Sequence, residues 1–147
     1  MKENKKIKIK SSTGFSLIEL LVVVAIIGIL SAVGVVSYSG YISGAKEKSA
    51  QNVMRQISLA QTEEYSNSGS YYTQSENTSC DPSSSTSNDI ETTLFGGGDQ
   101  IAKDMGYEIC IAAGTGSSNF IIIAEEISGA CQLTLSRNGN FTRGDDC

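Results

Sequence analysis

The chain has 147 residues, enough for one domain. Charged residues make up 18% of it and hydrophobic residues 39%, and there is no His, which removes Ser-His and Cys-His nucleophile pairs and the commonest metal ligand. A net charge of -5 argues against binding the phosphate backbone of DNA as the main task, and four Cys leave room for two disulfides in an oxidising compartment.

The first 14 residues carry Lys2, Lys5, Lys6, Lys8 and Lys10 against one acid, Glu3, while the rest of the chain is acidic. A basic tip before an apolar run is a targeting pattern. The run extends from Phe15 to Val36, 22 residues with a single charge at Glu19. As a helix it would be roughly 33 Å long, enough to cross a ~30 Å hydrocarbon core. The apolar region of a secretory signal is shorter, about 7–15 residues. Residues 15–36 are therefore expected to persist as a membrane span, with the lysine end in the cytoplasm. Cys80, Cys110, Cys131 and Cys147 all follow the span, on the side where an oxidising compartment would lie. An acid in a span costs up to ~2.5–3.5 kcal/mol at the centre and less near an end. Glu19 reads either as an acid that snorkels to the interface or as the partner of a cation.

Residues 37–66 continue the helix in amphipathic form. Tyr38, Ile42, Ala45, Ser49, Val53, Ile57 and Ala60 follow steps of three and four, while Lys46, Glu47, Lys48, Arg55, Glu63 and Glu64 fall mostly off that face. Asn67-Ser68-Gly69 marks its end, so a single helix of about 50 residues would run from membrane into water, roughly 75–80 Å. Residues 67–106 form a long polar connection broken by Ser83-Ser84-Ser85 and Gly96-Gly97-Gly98, with a helical turn or two over Asp99–Met105. Residues 107–147 read as three or four antiparallel strands. Tyr107–Ala113 alternates, Asn119–Ile127 holds the run Phe120-Ile121-Ile122-Ile123, and Cys131–Arg137 alternates again. Asn138-Gly139 is a hairpin signal before Asn140-Phe141-Thr142. The sheet needs a partner for its apolar face, and the aqueous half of the long helix supplies one. The fold class is α+β, a long amino-terminal helix packed on a carboxy-terminal antiparallel sheet.

Four Cys allow three pairings, and their spacing fits no zinc pattern. Asp145-Asp146, with Asp99 and Asp104, lacks the regular spacing of a calcium loop and reads as a solvated tail. No metal, cofactor or catalytic residue is expected. Asn77-Thr78-Ser79 and Asn140-Phe141-Thr142 match a glycosylation sequon, a weak signal.

The stretch Gly14-Phe15-Ser16-Leu17-Ile18-Glu19-Leu20, between a lysine-rich leader and an apolar helix, resembles the class III signal of type IV pilins. Ala45 to Tyr72, with Gln61, Tyr65, Gly69, Tyr71 and Tyr72, is similar to the helix end and following loop of pilins and pseudopilins. The resemblance implies that prepilin peptidase cuts between Gly14 and Phe15 and N-methylates Phe15. It assigns Glu19, the fifth mature residue, to assembly. It implies a precursor held in the inner membrane, extracted by pilus assembly machinery and polymerised into a helical homopolymer outside the cell. It also implies the bond Cys131–Cys147, as in the carboxy-terminal loop of pilins, and with it Cys80–Cys110. One departure is Val36, which stands where many members have Pro. Without Pro the helix keeps its N–H donor there, although Gly28, Gly34 and Gly40 each weaken it by ~0.8–1 kcal/mol against Ala.

The expected function is a structural, non-catalytic filament subunit, serving adhesion, motility or DNA uptake. The alternatives are a major pseudopilin of type II secretion and a minor pilin that binds DNA or surfaces. Beyond residue 45 the basic residues are Lys46, Lys48, Arg55, Lys103, Arg137 and Arg143, scattered rather than in a stripe, which argues against DNA.

Overall fold

The computed structural model describes residues 14–101, 105–116, 119–129, 131–145 and 147. The expected leader, apart from Gly14, lies outside them, as do Lys103, Asp104 and Asp146 and part of the turn expected at 99–105. The chain divides into two units, one ending at Tyr41 and the other spanning Ile42–Cys147.

A continuous helix, α1, runs Leu17–Ser68. In the first unit it is apolar at nearly every position, and its large side chains from Leu17 to Val35 are at least half exposed. This stretch is long and apolar enough to cross a membrane. The helix continues through Gly28, Gly34, Val36 and Gly40. Among the described residues no atom beyond the helix's own nearby backbone lies within 4 Å of a Cβ built on those three glycines.

The second unit, the head, holds the rest of α1, a short helix α2 over Ser84–Leu94, and four strands, β1 Tyr107–Ala113, β2 Phe120–Glu126, β3 Gln132–Ser136 and β4 Phe141–Arg143. The strands form an antiparallel meander in the order β1-β2-β3-β4. α1 ends where expected, with Gly69 at φ +77, a conformation that closes a helix at no Cβ cost. Gly139, at φ +80, makes the expected turn into β4.

The face of α1 that meets the sheet includes Val53 and Ile57 as expected and is otherwise rotated from the expected one. Ala50, Val53, Met54, Ile57 and Gln61 are buried, whereas Ala45 and Ser49 are exposed. They join Ile109, Ile111, Phe120, Ile122, Leu133 and Leu135 in one core. The expected stripe had stepped back onto small residues and missed Met54, the side chain with the volume to fill that core. Gln61 is fully buried, donates to the Tyr72 carbonyl at 2.6 Å and accepts its N–H at 2.9 Å. That side-chain pair fixes the chain's return after the helix. Tyr71 extends the anchor, stacked on Tyr65 at 4.6 Å and edge-on to Phe120 at 4.9 Å.

α2 lies in the segment read from sequence as a polar loop. Ser83 caps it in a reciprocal pair with Thr86, each side chain taking the other's backbone N–H. Ile90 is buried against the core. The serine run is thus a helix start rather than a low-complexity break. The same segment also covers the outer edge of β1, which has no strand neighbour on that side. Gln74 exchanges two hydrogen bonds with Ile111, through its N–H at 2.8 Å and its Oε1 at 3.0 Å. Ser87 Oγ accepts the Ile109 N–H at 2.9 Å, and Thr86 Oγ1 donates to the Ile109 carbonyl at 2.8 Å. Ala113 N–H reaches the Ser75 carbonyl at 2.9 Å. An edge that would otherwise offer itself to another chain is satisfied within the chain.

Two disulfides close the head, Cys80–Cys110 and Cys131–Cys147. The first fastens the edge cover to the outer face of the sheet, beside Ala112 and Ile123. The second ties residue 147 to the start of β3.

Candidate functional site

The three residues marked from sequence, Gly14, Phe15 and Glu19, sit together where α1 begins. Gly14, Phe15 and Ser16 precede the first turn and Glu19 lies within it. Ser16 is the residue that sequence reasoning missed. Its backbone N–H donates to Glu19 Oε2 at 2.8 Å, and its Oγ accepts the Glu19 N–H at 3.3 Å. This is a capping box, and its signature, Ser16-x-x-Glu19, was present in the sequence. The carboxylate satisfies one of the N–H groups that a helix start leaves unpaired and lies at the positive end of the helix dipole. Among the described residues the other carboxylate oxygen has no partner. Phe15 is 84% exposed. Among the described residues no atom lies within 4 Å of a Cβ built on Gly14.

The arrangement bears on what cleavage after Gly14 would do. Cutting that bond places a cationic amine on Phe15, with a reference pKa near 8. The new charge lies one residue before the N–H that Glu19 already accepts. Glu19 has one oxygen committed to its own helix start, which would leave the other for a cation. From Leu17 to Val35 the surface around it is apolar, so an ammonium and a carboxylate left apart in such surroundings would each be costly.

The head carries the other marked residues, the four Cys, none of them free. Near the Cys131–Cys147 closure, Arg143 pairs with Glu47 of α1 at 3.2 Å and donates to the Cys147 carbonyl. One guanidinium so connects the closed loop to the helix. Tyr107 lies next to this group, 4% exposed. Burial raises its hydroxyl above the ordinary tyrosine range, Glu126 and Glu47 raise it further, and Arg143 offsets part of the rise. Among the described residues no group of three or more acidic or Cys side chains is arranged to hold a metal ion.

Comparison with known proteins bears on the amino-terminal segment first. Residues 9–35 match the prokaryotic N-terminal methylation motif. The chain is also 42% identical over 73 residues to a fimbrial protein of Neisseria meningitidis serogroup A. The chain is pilin-like. The aligned region covers half of this chain and 42% of that relative, so the chain spans less than half the length of the curated protein it matches. No solved structure matches. The motif covers Gly14, Phe15, Ser16 and Glu19 together with the exposed apolar helix that follows them. The long helix and four-stranded antiparallel sheet of this pilin-like chain form the α+β fold expected from its sequence.

Proposed function

We propose that this chain is the structural subunit of a type IV pilus. The precursor waits in the inner membrane with its lysine-rich end in the cytoplasm. Prepilin peptidase cuts between Gly14 and Phe15 and methylates the new amine. Assembly machinery then extracts the subunit, and the apolar half of α1 exchanges lipid for the same half of other copies in a helical fibre. Glu19 accepts the Phe15 ammonium of a neighbouring subunit, which sets the axial step, because a wrong register leaves both charges buried and unpaired. The subunit's role is mechanical rather than catalytic.

One observation carries this reading: a methylation motif coincides with a capped helix that is apolar and exposed for almost its whole first unit. Such a surface exceeds what a soluble monomer exposes, and lipid or other copies of the helix are the surroundings that suit it. Cryo-electron microscopy of fibres sheared from the source cell tests the proposal. The expected map shows this chain as the repeating subunit, with residues 15–41 in the fibre core. Fibres built from another protein, with this chain absent, would overturn it. Short periplasmic fibres in place of long surface ones would assign the chain to a secretion pseudopilus instead.

A further inference from the structure

On the outer face of the sheet, Cys110 stands opposite Ile123 and Ala112 opposite Ile121 across the β1–β2 pair. Cys110, Ala112 and Ile123 are buried there in a small cluster of their own, apart from the main core, and Cys80 packs on it. Cys80 is carried to this place by a strap, residues 76–82, that joins the two halves of the β1 edge cover. On either side of the strap the chain is hydrogen-bonded to β1. Gln74 and Ser75 reach Ile111 and Ala113 before it, and Thr86 and Ser87 reach Ile109 after it. Within the strap the pattern changes. Among the described residues Glu76, Thr78, Ser79 and Asp81 make no hydrogen bond, and the Asn77 N–H reaches only Ser75 Oγ, at 3.2 Å. The Cys80–Cys110 bond is thus the strap's one covalent or hydrogen-bonded tie to the sheet among those residues.

The other disulfide is held differently. The Cys147 N–H donates to the Gly144 carbonyl, Arg143 donates to the Cys147 carbonyl, and the Gly144 N–H is bonded to Gln132. These ties keep Cys147 beside Cys131 when the bond between them is cut, and a high local concentration of the two thiols favours re-closure. No such tie returns Cys80 to Cys110.

We propose that Cys80–Cys110 is a redox latch: a dithiol opens it ahead of Cys131–Cys147, and the strap then lifts off the apolar patch while the core stays folded. Cys110 is fully buried and Cys80 is partly exposed, so attack falls on Cys80, since access decides which sulfur is struck. A thiolate of the dithiol bonds to Cys80 Sγ, the Cys80–Cys110 bond breaks, and Cys110 leaves as a thiolate that takes a proton. The second thiol of the reagent then attacks the mixed disulfide, closes the reagent's own S–S bond and releases Cys80, which takes the other proton. Two electrons pass from the dithiol to the protein. A head with the bond formed keeps the patch sealed, and a head without it shows the patch to water. The latch lies wholly within the head and does not depend on the filament reading.

The test uses the full chain in detergent micelles. The oxidised protein is treated with rising dithiothreitol, quenched with N-ethylmaleimide and mapped by peptide mass spectrometry. Cys80 and Cys110 should be labelled at a dithiol concentration at least about tenfold below that needed for Cys131 and Cys147. Amide hydrogen exchange in β2 and β3 should not change in that partly reduced protein. Cys80→Ala leaves Cys110 as the lone thiol and reports on the strap itself. Its alkylation should proceed within about a hundredfold of the rate in denaturant, whereas a thiol reached only by global unfolding is protected by about 10³ or more. Reduction of Cys131–Cys147 first or in step with Cys80–Cys110 would overturn the proposal. So would loss of exchange protection in β2 and β3 on opening the latch, or a Cys110 thiol protected more than about a hundredfold in a folded Cys80→Ala protein.

Discussion

The two units of this chain solve the burial problem in opposite ways. The head hides Met54, Ile57, Ile109, Phe120, Ile122 and Leu133 from water, closes itself with two disulfides and covers the edge of β1 with its own side chains. The first half of α1 is apolar at nearly every position, yet its large side chains stay exposed. Such a helix needs surroundings that the chain does not provide. On the proposed reading, polymerisation belongs to the first unit and durability outside the cell to the second, and substitutions in the two should fail differently.

The largest separation is expected at Glu19. On the proposed reading, Glu19→Val would leave the Phe15 amine of a neighbour buried and unpaired, a loss of ~3–5 kcal/mol per contact. Insertion and cleavage should proceed, while sheared fibres fall by at least about a hundredfold on immunoblots and the melting of the head does not move. Glu19→Asp should recover part of the fibre yield. Normal fibre yield from Glu19→Val as the only pilin present would reduce Glu19 to a tolerated cap. In the head the effects reverse. Replacing Cys131 and Cys147 together by Ser should cost about 3 kcal/mol in denaturant unfolding, because the unfolded chain regains the freedom of the closed loop. Membrane insertion and processing should stay normal in that variant.

A smaller loss is expected at Gln61. Gln61→Leu leaves the Tyr72 N–H and carbonyl without their partner in a partly buried place, a cost of ~1–3 kcal/mol measurable in the same unfolding experiment. The smallest effect is a pH dependence. Folding raises the Tyr107 hydroxyl above its ordinary value of about 10. The unfolded chain therefore loses this proton first. The stabilisation is complete below about pH 10 and is lost as the pH climbs through the higher folded value. Tyr107→Phe should flatten the head's stability profile above pH 10, and an unchanged profile would show that the phenol is not the group responsible.

Much of this was legible in sequence where one local rule acts alone. The long apolar helix needs only hydropathy and length, and β1 follows from alternation over Tyr107–Ala113. The disulfide pairing came with the resemblance and agrees with the bonds formed. The failures occur where two rules compete. Along α1 a helical stripe can be drawn through Ala45 and Ser49 or through Ala50 and Met54, and core volume chooses the second, a term periodicity does not contain. At Ser83 a serine run satisfies both a loop rule and a capping rule, and the buried Ile90 seven residues later decides for the helix. Gln74 gave no signal, since a side-chain amide that stands in for a strand is visible only once the edge of β1 is placed. At the candidate site the acid was legible and its cap was not, because the same Ser16 and Glu19 read first as part of a processing signal.

On the proposed reading, the first unit is exposed because it is matured for polymerisation. The intact mass of the subunit in sheared surface fibres, with fragmentation of its amino terminus, tests this most directly. The account predicts a chain that begins at Phe15 and carries one added methyl on that amine. A fibre subunit that still begins at Met1, or one cut at any other bond, would contradict it.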